Sequence, residues 1–346
     1  MAEVVLHGVF VYTGGDQQVP DEITHAIIDP SVKIVRARAF YGRWQLISVE
    51  FHDGVEIIEE EAFTNCISLC GSMKLLGVKI IKEKAFQFCR ELTDVEFGDQ
   101  LETIEQFAFA YTSLKKISMS SVRTIGKRVF DRCDELTDVK FGEGLRTLEG
   151  LAFSNCPKLE RIALPLKDDM IEDHVFYNCP TLTTIDLVGK IHQTVASLNL
   201  ESWRNAMNNE INNINQVLPT LRGKSGEAYG TKSIVEERSA KTRFIQWWMG
   251  SVIRQLDRYK TEHCKLLKEA TTLLELALWK ANIDDNIGGE GEREGVRPLA
   301  ELEGAMAEMR VTSGADVVIN NVLPFLVLKP DHVVVVRWGG GEYPLE

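Results

Sequence analysis

Seven phenylalanines recur at near-constant spacing, and no other feature limits the folds open to this chain so tightly. They stand at Phe40, Phe63, Phe86, Phe109, Phe130, Phe153 and Phe176, separated by 23, 23, 23, 21, 23 and 23 residues. Five residues before each sits an aliphatic (Val35, Ile58, Ile81, Ile104, Ile125, Leu148, Ile171), and Ala or Val immediately precedes every anchor. Leu46, Leu69, Leu92, Leu136, Leu159 and Leu182 follow six residues after an anchor, with Leu114 one position early. Val49, Val95, Val139, Ile162 and Ile185 come next, then Phe51, Phe97, Phe141, Leu164 and Leu187. One such unit cannot bury its own apolar face, whereas stacked units shield one another and build a continuous core. The alternation in Leu92-Thr-Asp-Val-Glu-Phe97 predicts a short strand, apolar side inward. The stretch around Ala85-Phe86 is expected to turn tightly, or form a short helix, on the opposite side. The expected fold is an α/β repeat solenoid of about seven 23-residue coils with short strands, followed by an all-α C-terminal region. Ile23 to Val35 fits a partial first coil, and the pattern stops beyond Leu187.

The coil Ala85-Phe86-Gln87-Phe88-Cys89-Arg90-Glu91-Leu92-Thr93-Asp94-Val95-Glu96-Phe97 resembles the BspA-like class of leucine-rich-repeat proteins, whose coils read A-F-x-x-C-x-x-L-x-x-V-x-F. The likeness covers about residues 17–190. The second half, with Trp203-Arg204-Asn205 and Leu274-Glu275-Leu276-Ala277-Leu278-Trp279-Lys280, is similar to the helical tail on intracellular repeat proteins of this type in diatoms and related algae. The resemblance implies a recognition surface for protein partners rather than catalysis. Two coils depart from the pattern. The Phe63 coil reads Leu69-Cys-Gly-Ser-Met-Lys-Leu75, which breaks the alternation, and the Phe109 coil is two residues short. Kinks or bulges are expected at both.

After Ile191 the apolar period lengthens to about 3.6. Trp203, Met207, Ile211, Ile214 and Leu218 predict an amphipathic helix ending near Pro219. A stripe from Ile245 through Trp248, Val252, Leu256, Tyr259 and His263 to Ala277 predicts one very long helix or two packed ones. Met249, Ile253, Leu267 and Leu274 widen it toward a small bundle. The expected organisation is a lead-in at 1–16, the solenoid at 17–198 and a helical domain at 199–283. A flexible Gly/Glu linker at 284–298 and a short helix with a Val-rich tail at 299–346 complete it.

Several motifs imitate chemistry. Cys66, Cys89, Cys133, Cys156 and Cys179 each lie three residues after an anchor, but Arg43 and Thr112 hold the same position elsewhere and no histidine shares the spacing. Small buried thiols fit this better than metal ligands, which come in pairs two to four residues apart. Cys70, four residues after Cys66, could approach it on a helical turn, yet two sulfurs make a weak site. His263 and Cys264 are adjacent, so on a helix they point about 100° apart and cannot form a dyad. The stretches 222–225 and 226–233 imitate a phosphate loop with wrong glycine–lysine spacing and a helix where a strand is needed. Asp168-Asp169 and Glu59-Glu60-Glu61 read as solvated acidic runs. No catalytic, cofactor-binding or metal-ligating residue and no cofactor is expected.

Charge narrows the partners. Lys and Arg number 39 against 51 Asp and Glu, a net charge of -12 that repels nucleic-acid phosphates and anionic lipid. Met1 to Phe10 carries Glu3 and no basic n-region, and no unbroken apolar run of membrane-spanning length occurs, so the expected location is cytoplasmic, or nuclear, with no membrane partner. Seven cysteines without an export signal fit reduced thiols. Outward strand positions eight and ten residues after each anchor include Ser48 with Glu50, Asp94 with Glu96, Asp138 with Lys140, and Arg161 with Ala163. Lys116 and Ser118 are their equivalents in the short coil. From these Glu50, Asp94, Glu96, Lys116, Asp138, Lys140 and Arg161 are the candidate partner-binding residues, for another protein of some basic character. The leading function is a non-enzymatic recognition or scaffold module, with the helical half capping the solenoid or self-associating. One alternative is an enzyme or regulated signalling component with a cleft lined by His263, Trp247 and the 222–233 loop. Another is nucleic-acid association through 222–282, where twelve basic and seven acidic residues interleave with Trp247, Trp248 and Tyr259.

Overall fold

The computed structural model describes residues 9–198, 200–221 and 231–287. Residues 1–8 of the expected lead-in, most of the phosphate-loop imitations, the linker beyond residue 287 and the expected helix and tail at 299–346 lie outside the described residues.

Among the described residues, fifteen short strands line two sides of the coils. The first are β1 (Val9–Tyr12), β2 (His25–Ile28), β3 (Ile34–Val35), β4 (Ser48–Glu50), β5 (Ile57–Ile58), β6 (Gly71–Leu75), β7 (Ile80–Ile81) and β8 (Leu92–Phe97). They continue as β9 (Thr103–Ile104), β10 (Lys116–Met119), β11 (Thr124–Ile125), β12 (Asp138–Phe141), β13 (Thr147–Leu148), β14 (Arg161–Pro165) and β15 (Thr184–Val188). All pairings are parallel, coil on coil. On one side the two-residue strands make an unbroken sheet, β13-β11-β9-β7-β5-β3. On the other the longer strands fall into three sheets, β1-β2-β4, β6-β8 and β10-β12-β14-β15. The breaks coincide with the two aberrant coils. In the Phe63 coil Gly71 turns through a φ of 80° and the register shifts between Gly71 and Ser72; in the Phe109 coil the two missing residues separate β8 from β10. Among the described residues the ladder already includes Val9–Tyr12, inside the stretch read from the sequence as a lead-in.

All seven anchor phenylalanines are fully buried. Their rings stack nearly parallel from coil to coil, with centroids 4.8 to 6.0 Å apart, close to the strand spacing of a parallel sheet. The anchor turns are neither helical nor ordinary. The residues two before and two after an anchor are left-handed, as at Lys84 (φ 56°) and Phe88 (φ 64°) around Phe86. This conformation is costly for most side chains, roughly 1–2 kcal/mol each. It is held by hydrogen bonds: the N–H groups of Lys84, Phe86 and Phe88 donate to the carbonyls of Gln106, Ala108 and Ala110 in the next coil, at 2.8 to 3.0 Å.

Beyond β15 the backbone becomes helical, in α1 (Ile191–Ala196), α2 (Glu201–Val217), α3 (Thr231–Arg238) and α4 (Ala240–Ile287), the last a single 48-residue helix. Met207, Ile211 and Ile214 are buried along α2, and Leu218 opens a short 3-10 turn that carries Pro219. The chain forms two compact units, one of Met1–Gln193 with Asn209–Arg254, the other of Thr194–Asn208 with Gln255–Glu346. Within the first, helical side chains close the last coil. Asn215 accepts the Ile185 N–H at 2.8 Å and donates to the Ile185 carbonyl at 3.1 Å, standing where a further strand would pair. Thr242 Oγ1 accepts the Phe176 N–H at 2.9 Å, and Lys241 Nζ donates to the Pro180 and Leu182 carbonyls. Ile245, Trp248, Met249 and Val252 are buried on the same helix. In the second unit Trp203 stacks on Tyr259 at 5.0 Å.

Removing one stacked ring tests this architecture. Phe86→Ala is expected to lose about 3–5 kcal/mol in urea denaturation followed by circular dichroism. A Cβ on Gly98 would lie 1.7 Å from the Leu76 carbonyl oxygen, whereas one on Gly144 would meet nothing nearer than 3.7 Å. Gly98→Ala is therefore expected to be strongly destabilised, and Gly144→Ala to stay within about 0.5 kcal/mol of the parent.

Candidate protein-recognition face

The strand side presents two rows of outward side chains. In one row Lys116 is the register partner of Asp138 and Asp138 of Arg161, with Ser72 beside Asp94 in the middle sheet. In the other Ile27 pairs with Glu50, Lys74 with Glu96, and Lys140 with Ser118 and Ala163. Glu50, Asp94, Glu96, Lys116, Lys140 and Arg161 are exposed and Asp138 is half-buried. The structure thus brings these seven side chains onto one face, in three groups separated by the two breaks in the ladder. Ala163, expected to point outward, is only 8% exposed.

Much of the charge is matched within the face. Ser72 Oγ donates to Asp94 Oδ2 at 2.8 Å, Lys74 Nζ lies 3.8 Å from Glu96, and the Arg161 guanidinium grips Asp186. Ser72 and Lys74 escape the forward count from Phe63 because the bulge delays the strand by one residue. Counting back from Leu75 recovers them. Exposed ion pairs of this sort contribute about 0–1 kcal/mol each, so little energy holds these side chains in their pairs.

The repeating cysteines serve the backbone. Cys66, Cys89, Cys133, Cys156 and Cys179 donate their S–H to the carbonyls of Phe40, Phe63, Phe109, Phe130 and Phe153, the anchors of the preceding coils, at 2.9 to 3.3 Å. Thr112, in the same position, donates its hydroxyl to Phe109. Burial pushes the Cys66 and Cys133 thiols up to about 12, and Cys89 and Cys156 upward also. A thiol held protonated is neither a nucleophile nor a metal ligand. Cys70 and Cys264 are exposed. Among the described residues no three His, Cys, Asp or Glu side chains converge to hold a metal ion.

The helical half places its candidate residues in packing. Trp248 is buried and donates its indole N–H to the Glu210 carbonyl at 2.9 Å, and Tyr259 lies on Trp203. Lys241 is turned onto the last coil, Arg238 over Tyr177, and Arg258, Lys260 and Lys265 onto Glu262, Asp257 and Glu269. Trp247 is 58% exposed and His263 half-buried, and residues 222–230 of the loop expected beside them lie outside the described residues. No helix among the described residues is long and apolar enough to cross a membrane.

Comparison with known proteins found both a family and similar solved structures. The model of the BspA type leucine rich repeat region matches in six copies, over residues 20–121, 72–183 and 102–216. No curated protein matches the chain. Among solved structures, a leucine rich cell surface protein from Faecalibacterium prausnitzii A2-165 is 21% identical over 48% of this chain and 61% of its own, with a TM-score of 0.32. A leucine-rich repeat protein from Bacteroides ovatus is 20% identical over 49% of this chain and 61% of its own, with a TM-score of 0.29. The T. pallidum leucine rich repeat protein is 23% identical over 52% and 69%, with a TM-score of 0.34. The chain spans 61% of the length of the first two.

The thiol ladder makes a measurable prediction. Of the seven cysteines, Cys70 and Cys264 are expected to react within seconds to minutes with a disulfide reagent, and the other five only on unfolding. Because burial raises the folded Cys66 and Cys133 thiols above their ordinary value of 9.0 to about 12, their stabilisation is complete below pH 9.0 and is lost as pH climbs toward 12. Urea midpoints that stay flat through that interval would contradict the burial.

Proposed function

The chain belongs to the BspA type leucine rich repeat family, and from that premise we propose that it is a non-enzymatic protein-recognition module whose outward strand face makes the contact. Repeat solenoids offer extended surfaces to which many side chains each contribute a little. The observation that carries the reading is the pair of side-chain rows on β4, β6, β8, β10, β12 and β14, spaced coil by coil by the stacked core and, apart from Ala163 and Asp138, largely exposed. Glu50, Asp94 and Glu96 in its first half suit a partner of some basic character, and Lys116, Lys140 and Arg161 in its second half set the register of opposite charges. We place the protein inside the cell, where its seven free cysteines fit a reducing compartment.

With a complex in hand, raising salt from about 0.1 M to about 1 M shortens the screening length from about 10 Å to about 3 Å and is expected to weaken binding. Asp94→Lys with Glu96→Lys is expected to weaken it at least tenfold at the lower salt, roughly the 1.4 kcal/mol of two lost charge contacts with repulsion added. Unchanged affinity in that double variant, measured by calorimetry on the full chain, would remove the strand face as the site.

A further inference from the structure

The solenoid's large exposed apolar side chains are all gathered at one end. Val11, Ile27, Tyr41, Trp44, Ile47 and Ile67 are each at least 36% exposed, and from Ser68 to Gln193 no other large apolar residue reaches that level. Five of the six follow one another over neighbouring coils. Val11 and Ile27 are register partners on the outer face of β1 and β2. Ile47 enters β4 with its N–H bonded to the Thr24 carbonyl at 2.7 Å, and its own carbonyl accepts the Cys70 N–H at 3.0 Å. Trp44 and Ile67 occupy the same position, four residues after their anchors, in consecutive coils. Trp44 is the most open of the set, at 55%. The core does not explain them, because Phe40, Leu46, Phe63 and Leu69 already fill it.

The rim around this patch is acidic. Residues 9–32 hold Asp16, Asp21, Glu22 and Asp29 and no Lys or Arg, and Glu50 stands beside Ile27 across the strands. The nearby basic side chains are occupied: Arg43 pairs with Asp21 at 2.9 Å and donates to the Val19 carbonyl, and Arg38 pairs with Glu61 at 2.7 Å while lying over the Tyr41 ring. We propose that the first three coils are the anchoring site for a partner protein segment carrying large apolar side chains flanked by Lys or Arg. The rim charge selects this occupant. A second copy related by a twofold axis would set acid against acid. The chain's own Val-rich segment, residues 317–346, carries Lys329 and Arg337 against Asp331, Glu342 and Glu346, and so brings no net positive charge. An exposed tryptophan amid aliphatics is the arrangement on which binding energy concentrates.

This inference deepens the strand-face reading, and the test separates the two. Random twelve-residue peptides displayed on phage are panned against the full chain, and the enriched sequences are synthesised and titrated by fluorescence anisotropy. The expected winners combine two or more large apolar residues with Lys or Arg. Trp44→Ser with Ile67→Ser, both exposed and therefore expected to leave the circular dichroism melt unchanged, should weaken them at least tenfold. Loss of binding in this variant but not in Asp94→Lys with Glu96→Lys supports the anchoring site and counts against the strand face as the main site. The reverse pattern overturns the anchoring site and leaves the strand face standing. Enrichment of acidic peptides overturns the assigned partner, as does tighter binding by a peptide of residues 317–346, or a dimer in sedimentation that Trp44→Ser dissolves.

Discussion

Ring-on-ring stacking of one phenylalanine per coil is the interaction on which the rest of this protein depends. A coil of 23 residues has no core of its own, so its stability comes from the coil before and the coil after. The anchors make that dependence geometric: centroid separations near 5 Å match the distance between hydrogen-bonded parallel strands, so ring packing and backbone pairing are satisfied together. The left-handed residues on either side of each ring follow from the same demand. They keep every second N–H of the turn aimed at the next coil, and the hydrogen bonds so formed offset the conformational cost. The cysteine ladder adds a small donor for five of the seven anchor carbonyls.

A second periodicity lies on top of the first. At the inner strand position Phe51, Phe97 and Phe141 alternate with Leu75, Met119 and Leu164, and each aromatic packs edge-on against every second anchor, Phe63, Phe109 and Phe153. The outer charges keep the same two-coil beat. Lys33, Glu56, Lys79, Glu102 and Arg123 alternate in sign along the short-strand side, and the Lys79 ammonium, 2.7 Å from Glu56, holds that carboxyl below its usual range. Each pair is weak alone. Together they favour one stacking register over a slip by a single coil, which would set like charges on like charges.

This explains which parts of the structure could be read from the residues. The repeat was legible because burial is periodic and every coil spells it out. The bulge at Gly71 and the break before β10 were legible as departures from that spelling. The turn conformation was only half written: Gly42, Asn65, Asn155 and Asn178 are residues that favour a left-handed backbone, but Phe88, Tyr111 and Arg132 adopt it under tertiary constraint. Lys74 was hidden by one inserted residue. The cap was hidden more deeply, since Asn215, Lys241 and Thr242 look like ordinary helix-surface residues until the coil backbone they serve, some 30 to 66 positions earlier, is brought beside them.

The closing of the ladder at its ends bears directly on recognition. At the far end the Asn215 amide occupies the N–H and C=O that β15 would offer to a further strand. At the near end Gln17 does part of the same work, donating to the outward Val11 carbonyl at 3.2 Å while its own oxygen accepts the Thr13 N–H at 2.7 Å. Side-chain amides thus take up one N–H and C=O pair at the far edge and one carbonyl at the near edge, which makes strand addition at those residues less favourable. On the reading proposed above, specificity then comes from side chains standing on the coils: the apolar cluster at one end would supply binding energy, and the charges spread along the rest would align what is bound.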